Sequence, residues 1–206
     1  MELAFGVRDV LLAPRCAGCG EPVSWFCVSC RDQCEPVAHD GRLPIRAAGA
    51  HAGPLRAAVR RLKYGAEPGL AHDLGELVAL ELARDLARGT TVDAVVPVPL
   101  HRSRAASRGY DQAALLAQAV AVRTCLPLRP ALHRIRGGPP QVELDRAARA
   151  KNIRGAFVAQ AGSLRGLRVA LVDDVATTGA TLVDAAAAAR AAGARAVRAY
   201  VVAVEE

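Results

Sequence analysis

Asp173 and Asp174 stand side by side after an apolar run at residues 169–172, and are followed by Val175, Ala176, Thr177, Thr178, Gly179, Ala180 and Thr181. Two adjacent carboxylates accept hydrogen bonds from neighbouring hydroxyls, so the pair suits a diol. Threonine hydroxyls, with a glycine that lets backbone N–H groups close around a charge, suit an anion. The alanine-rich stretch from about Leu182 reads as a helix whose positive end points at that anion. A ligand that needs both a diol clamp and a phosphate cradle is a ribose 5-phosphate. The plain alternative is a polar surface turn, but a random turn rarely sets two carboxylates at a strand end.

A second cluster lies near the amino terminus. Cys16-x-x-Cys19 and Cys27-x-x-Cys30 are two tight turns, each converging two thiolates on one point, with seven residues between the pairs. Two such turns close a tetrahedral zinc site, and four thiolates leave no open position for water, so the metal is structural. Disulfides are disfavoured by compartment, and a redox pair by the presence of two pairs together. Cys34 and His39 are spare potential ligands, and Cys34 could replace Cys30 in another arrangement. Cys125 reads as a small buried hydrophobe. The module is too small for much of a core without metal, and Trp25 and Phe26 are expected to pack it onto its neighbour.

The elements that must position these groups alternate. A strand is expected at residues 45–51, and an amphipathic helix at 54–64 with Leu55, Val59 and Leu62 on one face and Gly65 at its end. A longer helix is expected at 70–88. The apolar strand 92–100 runs out into Pro97 and Pro99. Residues 101–110 read as a basic, small-residue loop, followed by a helix at 111–123, the strand 169–172, a helix at 182–192 and a last strand at 196–204. Alternating strands and helices imply α/β architecture, a parallel sheet flanked by helices on both faces. Ligands then sit at the carboxyl ends of the strands. The basic side chains Arg60, Arg61 and Lys63, with Tyr64, could face a phosphate. Arg134, Arg136 and Gln141 lie in a Gly/Pro-rich segment that reads as a mobile loop.

The bulk properties bound the function. The 206 residues are 52% hydrophobic, enough for one sizeable core, and the net charge of +7 permits polyanionic partners. Of the 27 basic residues only Lys63 and Lys151 are lysines, so a single arginine says little about phosphate. Aromatic residues make up 3%, a poor platform for stacking bases. Residues 1–14 carry Glu2, Arg8 and Asp9 and do not read as a signal peptide; with no long apolar run, no membrane span is expected. The expectation is a cytoplasmic protein with reduced or metal-bound cysteines.

Residues 173–181 resemble the phosphoribosyl diphosphate (PRPP) motif of type I phosphoribosyltransferases. The order of other segments narrows the resemblance. Lys63-Tyr64, Val96-Pro97-Val98-Pro99-Leu100, Arg108-Gly109-Tyr110-Asp111-Gln112, the 134–141 segment, Arg149-x-x-Asn152 with Gly155-Ala156-Phe157, and the preceding cysteine pairs together look like the ComF family (with the related GntX-like proteins). The resemblance spans nearly the whole chain. It implies a zinc-ribbon module over residues 1–40 and a type I phosphoribosyltransferase-like domain over 41–206. It also implies PRPP as ligand with Mg²⁺, and proximity to incoming single-stranded DNA and DNA-processing proteins. Asp173 and Asp174 would bind the ribose hydroxyls and stabilise positive charge on the ribose. Residues 175–181 would hold the 5-phosphate. Lys63, Arg102, Arg104 and Arg108 would meet the pyrophosphate, while Arg134, Arg136 and Gln141 close over the site. Two functions follow: transfer of phosphoribose to an unknown acceptor, or a competence factor that binds single-stranded DNA with PRPP as ligand rather than substrate.

Overall fold

The computed structural model describes residues 14–22, 24–135 and 155–205. In chain order the elements are α1 (Val28–Arg31), β1 (Val37–His39), β2 (Ile45–Ala50), α2 (Gly53–Tyr64), α3 (Leu70–Ala87), β3 (Ala94–Pro97), α4 (Arg102–Arg108), α5 (Gln112–Thr124), β4 (Leu132–Arg134), β5 (Phe157–Ala159), β6 (Arg168–Ala176), α6 (Ala180–Ala191) and β7 (Ala196–Val204). Among the described residues no helix is long and apolar enough to cross a membrane.

The main sheet has the order β1-β2-β7-β6-β3. β2, β7, β6 and β3 run parallel, and β1 adds an antiparallel edge. The strands alternate their side chains between two apolar layers, as period two requires. Ala170, Val172, Tyr200 and Val202 join Leu55, Val59 and Leu62 of α2, Leu74 and Leu82 of α3 and Leu116 of α5. Leu171, Ala199 and Val201 face the other way, onto Leu182, Ala185 and Ala189 of α6. Both faces are covered, so β6 reads as a nearly continuous apolar run until its acids.

Polar contacts fix the register. Asp93 takes a two-pronged contact from Arg168, at 2.6 and 2.8 Å, which ties the start of β3 to the start of β6. That guanidinium beside Asp93 holds its carboxyl down at about 2. In the interior Asp85 accepts from the Tyr200 hydroxyl at 3.0 Å and pairs with Arg46 and Arg198. Asp184 of α6 accepts from the backbone N–H groups of Gly155, Ala156 and Phe157 at 2.7, 2.8 and 3.2 Å. It thereby moors the β4–β5 ribbon against α6. That antiparallel ribbon pairs Arg134 with Phe157; residues 136–154, between its two strands in sequence, lie outside the described residues. The loop expected there, with Arg136 and Gln141, falls among them.

Three expectations need correction. Residues 101–110 are not a loop: Arg102–Arg108 form the short helix α4. His101 caps it by accepting from the Ser103 N–H, and Gly109 ends it at φ 80°, the left-handed region that glycine enters without strain. Cys125 is exposed, because it sits at the left-handed end of α5 with φ 55°. The strand expected over residues 92–100 is confined to Ala94–Pro97, with one further bond from the Val98 N–H to the Val172 carbonyl. The prolines end the ladder there.

Candidate functional site

Parallel strands put their carboxyl ends on one edge of the sheet, and there the chain leaves β2, β3, β6 and β7 close together. A cavity of about 350 Å³ opens at that edge. Asp173 and Asp174 at the end of β6 line it, with every residue from Val175 to Thr181. Gly179 adopts φ 70° and caps α6, so the turn can curl tightly at the amino end of that twelve-residue helix. Thr177 and Thr178 are exposed to the cavity mouth, and Ala176 is buried.

The basic residues arrive from three elements. Arg60, Lys63 and Tyr64 come from the second half of α2, Arg104 and Arg108 from α4, and Arg134 from β4. Arg108 stacks its guanidinium over the Tyr64 ring at 5.1 Å, and Arg134 stacks over Phe157 at 5.3 Å. Burial, and then the Arg104 charge, press Arg134 below the usual guanidinium value, with Asp173 and Asp184 opposing. Arg102 is exposed and does not line the cavity. Arg61 turns the other way: it pairs with Glu67 at 2.7 Å and donates to the Arg15 and Cys16 carbonyls. Helical phase decides this: Arg60, Lys63 and Tyr64 are spaced i, i+3 and i+4 and share one side of α2, whereas Arg61 lies one step round the helix.

The two acids are unlike. Asp174 is buried, with one oxygen 2.9 Å from Lys63 Nζ and the other accepting from Gln112 Nε2 at 2.9 Å. Asp173 accepts the Asp174 N–H at 2.8 Å. Burial, and next the neighbouring Asp174 charge, push the Asp173 carboxyl well above the usual range. A stability consequence follows. Below the unfolded carboxyl value of about 3.9, Asp173 is protonated both folded and unfolded and imposes no penalty. As pH rises the unfolded chain ionises first while the folded one resists, so stability is lost up to the raised folded value. Asp173→Asn should therefore melt at a higher temperature than the parent at pH 7, and the difference should vanish toward pH 4. Melting curves across that range check this; an equal or lower melting temperature at pH 7 would contradict it. A site residue that costs stability is a common trade-off with function.

Sequence reasoning missed three polar lining residues: His51, Gln112 and Glu205. His51 follows β2 and Glu205 follows β7; their side chains meet with Nδ1 3.2 Å from Oε1. The Glu205 N–H donates to the Ala176 carbonyl, which places this pair beside the threonine turn. Gln112 is legible in sequence only as part of the Arg108–Gln112 run, with no role attached.

The cysteines Cys16, Cys19, Cys27 and Cys30 converge, all four Sγ atoms lying within 4.8 Å of one another. Cys16 and Cys30 are 3.7 Å apart and Cys19 and Cys27 3.6 Å. Sulfurs at about 2.3 Å from a tetrahedral zinc are about 3.8 Å apart, so the cluster is compatible with a structural zinc site. Burial raises the Cys16 thiol, but N–H groups of Cys27, Cys19 and Gly18 outweigh it and bring it down to about 6. Burial and the neighbouring thiols push Cys30 up. Four sulfurs this close cannot all ionise without a cation. Cys34 lies outside the cluster, its Sγ 3.5 Å from the Cys30 carbonyl.

The module is fused to the main core. Phe26 is fully buried, and its N–H donates to Asp73 of α3 at 2.8 Å. Arg31 of α1 pairs with Asp73 and Glu76. Trp25 packs so closely on Gly69 that a Cβ there would lie 2.5 Å from its ring. A Cβ on Gly18 would meet Cys30 Sγ at 2.6 Å and Pro54 of α2 at 2.8 Å, so the cysteine turns rest on the start of the helix that ends just past Lys63.

A parallel α/β sheet flanked by helices, a cavity at its carboxyl edge and a four-cysteine cluster agree with the architecture that the ComF resemblance implied. No family model matches the chain. It is 29% identical over 181 residues to competence protein F of Haemophilus influenzae, covering 85% of this chain and 78% of that protein. It is 32% identical over 149 residues to the DNA utilization protein YhgH of Escherichia coli K12, covering 66% of this chain and 61% of that protein. The chain is therefore a homologue of competence protein F and of YhgH, and the resemblance to the ComF family stands. Among solved structures it is similar to an allosteric regulatory enzyme of purine biosynthesis, with a TM-score of 0.44 and 26% identity over 64% of this chain. It is also similar to the glutamine PRPP amidotransferase of B. subtilis, with a TM-score of 0.43 and 27% identity over 63% of this chain. In both cases the chain spans 25% of the solved chain.

Proposed function

We propose that the cavity binds PRPP and that the protein transfers its phosphoribosyl group to an acceptor nucleophile, releasing pyrophosphate, in the cytoplasm. One observation carries this reading: an acid pair, a threonine–glycine turn at a helix amino end and five basic side chains line a single cavity. In this reading residues 1–40 form a zinc module and residues 41–206 the phosphoribosyl domain, with β1 tying the first to the sheet of the second.

Each group has a task set by its chemistry. Backbone N–H groups and hydroxyls of residues 177–181 hold the 5-phosphate at the start of α6. Asp173 and Asp174 accept from the ribose hydroxyls and stabilise positive charge as the C1–O bond breaks. That bond's electron pair leaves with the pyrophosphate, which Lys63, Arg60, Arg104, Arg108 and Arg134 receive. Lys63 is held by Asp174 in the free protein and turns to the pyrophosphate when PRPP enters. Arg102, Arg136 and Gln141 complete the proposed set from outside the cavity lining or outside the described residues. Mg²⁺ bound with PRPP supplies neutralising charge to the pyrophosphate oxygens, and zinc at the four cysteines supplies rigidity. The acceptor's lone pair attacks C1, and the acceptor loses a proton. The test is PRPP labelled in its β-phosphate, offered with pools of amine, nucleobase and hydroxyl acceptors. Labelled pyrophosphate released only with an acceptor supports transfer; intact PRPP with every class excludes it.

The relatives' names, competence and DNA utilization, favour a second reading in which the protein binds single-stranded DNA and PRPP is a ligand. With few aromatics, contact would run from arginines to phosphates. Each neutralised phosphate adds roughly −0.7 to the log–log salt slope. Anisotropy of a labelled oligonucleotide should fall steeply with salt and respond to Mg–PRPP, because the same arginines serve both. Salt-insensitive binding rejects the electrostatic contact, and no binding at low salt leaves the transferase reading alone.

A further inference from the structure

Gln112 opens α5 and is 1% exposed, yet it lines the cavity. Its amide orientation is fixed by chemistry: the nitrogen faces Asp174 Oδ2 at 2.9 Å, and a flipped amide would set two acceptors against each other. Asp174's other oxygen is taken by Lys63. Gln112 is thus the side chain that keeps Asp174 in place when Lys63 leaves it. The amide's second atom, Oε1, is buried with no hydrogen-bond partner among the described residues. A buried acceptor left unpaired costs free energy comparable to a lost hydrogen bond, and such groups in native proteins ask for an explanation. An apolar side chain of similar shape would carry no such cost at Oε1.

Oε1 can only accept, so its missing partner is a donor. Phosphate and pyrophosphate oxygens are acceptors at neutral pH and do not fit. The ribose hydroxyls do, and they are the groups that the adjoining Asp174 is placed to meet. We infer that Gln112 is a specificity-determining residue: Nε2 holds Asp174, and Oε1 accepts from one hydroxyl of the ribose diol, so the site selects ribosyl over deoxyribosyl 5-phosphates. This rests on the phosphoribosyl reading above. A site built to hydrogen-bond a hydroxyl rejects the analogue that lacks it, because its own buried group is then left unpaired.

The test is calorimetric titration of the full chain with ribose 5-phosphate, 2-deoxyribose 5-phosphate and 3-deoxyribose 5-phosphate, repeated with Gln112→Met. The parent should bind ribose 5-phosphate at least tenfold more tightly than one of the deoxy analogues. Gln112→Met should reduce that preference severalfold. A parent that binds all three sugars equally overturns the inference without any variant. So does a folded Gln112→Met that keeps the parent's full preference. A parent that binds none of the three overturns the phosphoribosyl reading itself, which is a distinct result.

Discussion

Replacing Asp173 and Asp174 together by asparagine is expected to abolish measurable binding of PRPP in the presence of Mg²⁺. Removing one carboxylate–hydroxyl hydrogen bond costs about 1–3 kcal/mol, and each 1.4 kcal/mol is about tenfold in Kd. Removing both therefore weakens binding by roughly thirtyfold at the least. The effect should exceed that of any single basic residue, because five cationic side chains line the cavity. Asp174 also anchors Lys63 and Gln112, so its neutralisation loosens both. Melting curves separate this from misfolding, since Asp173→Asn is expected to stabilise the free protein at pH 7. Calorimetry checks the affinity; equal Kd values for parent and double variant would count decisively against the site.

Cys27→Ser is expected to remove about one zinc per chain and to lower solubility and melting temperature together. Structural zinc contributes about 10–16 kcal/mol of binding free energy in isolated zinc-finger peptides. Even a fraction of that is large here, because Cys16, Phe26, Cys27 and Cys30 belong to the same buried layer as Leu55, Leu62 and Leu74. In a protein of this size each kcal/mol shifts the melting temperature by about 2–4 °C, so a fall of roughly 10 °C or more is expected. The loss should reach the cavity as well. The cysteine turns rest on Pro54 at one end of α2, and Lys63 and Arg60 project into the cavity from nearer the other. Metal analysis beside calorimetric melting decides it: a metal-free protein with unchanged melting sinks the structural role.

The parts of this protein that are legible in the sequence are those whose signals are local. Residues 169–181 read as strand, acids and threonine–glycine turn in unbroken succession; β6 runs on through both acids to Ala176, beyond the expected end at Val172, and α6 starts at Ala180, two residues before the expected helix. The cysteine spacing needs only turn geometry to converge four sulfurs. Where local cues compete, the sequence misleads. Ser103, Ser107, Gly109 and the arginines around them outweigh the helix-forming Ala105 and Ala106, so α4 reads as a loop. Arg60 and Arg61 look equivalent until the packing of α2 on the cysteine turns sets their phase. His51, Gln112 and Glu205 are beyond reach for another reason. They gather at the cavity because β2, β7, β6 and β3 are neighbours in that order, and no local pattern encodes strand order. Gln112 carries a further signal only in three dimensions, an amide with one half paired and the other half orphaned among the described residues.

If the carboxyl edge of this sheet is a PRPP site, as we propose, direct titration shows it. PRPP should bind the full chain with one-to-one stoichiometry when Mg²⁺ is present. Binding should fall sharply when the metal is chelated, and ribose 5-phosphate should compete for the same site. No heat and no competition at millimolar PRPP with Mg²⁺, from protein shown to be folded, would contradict the account.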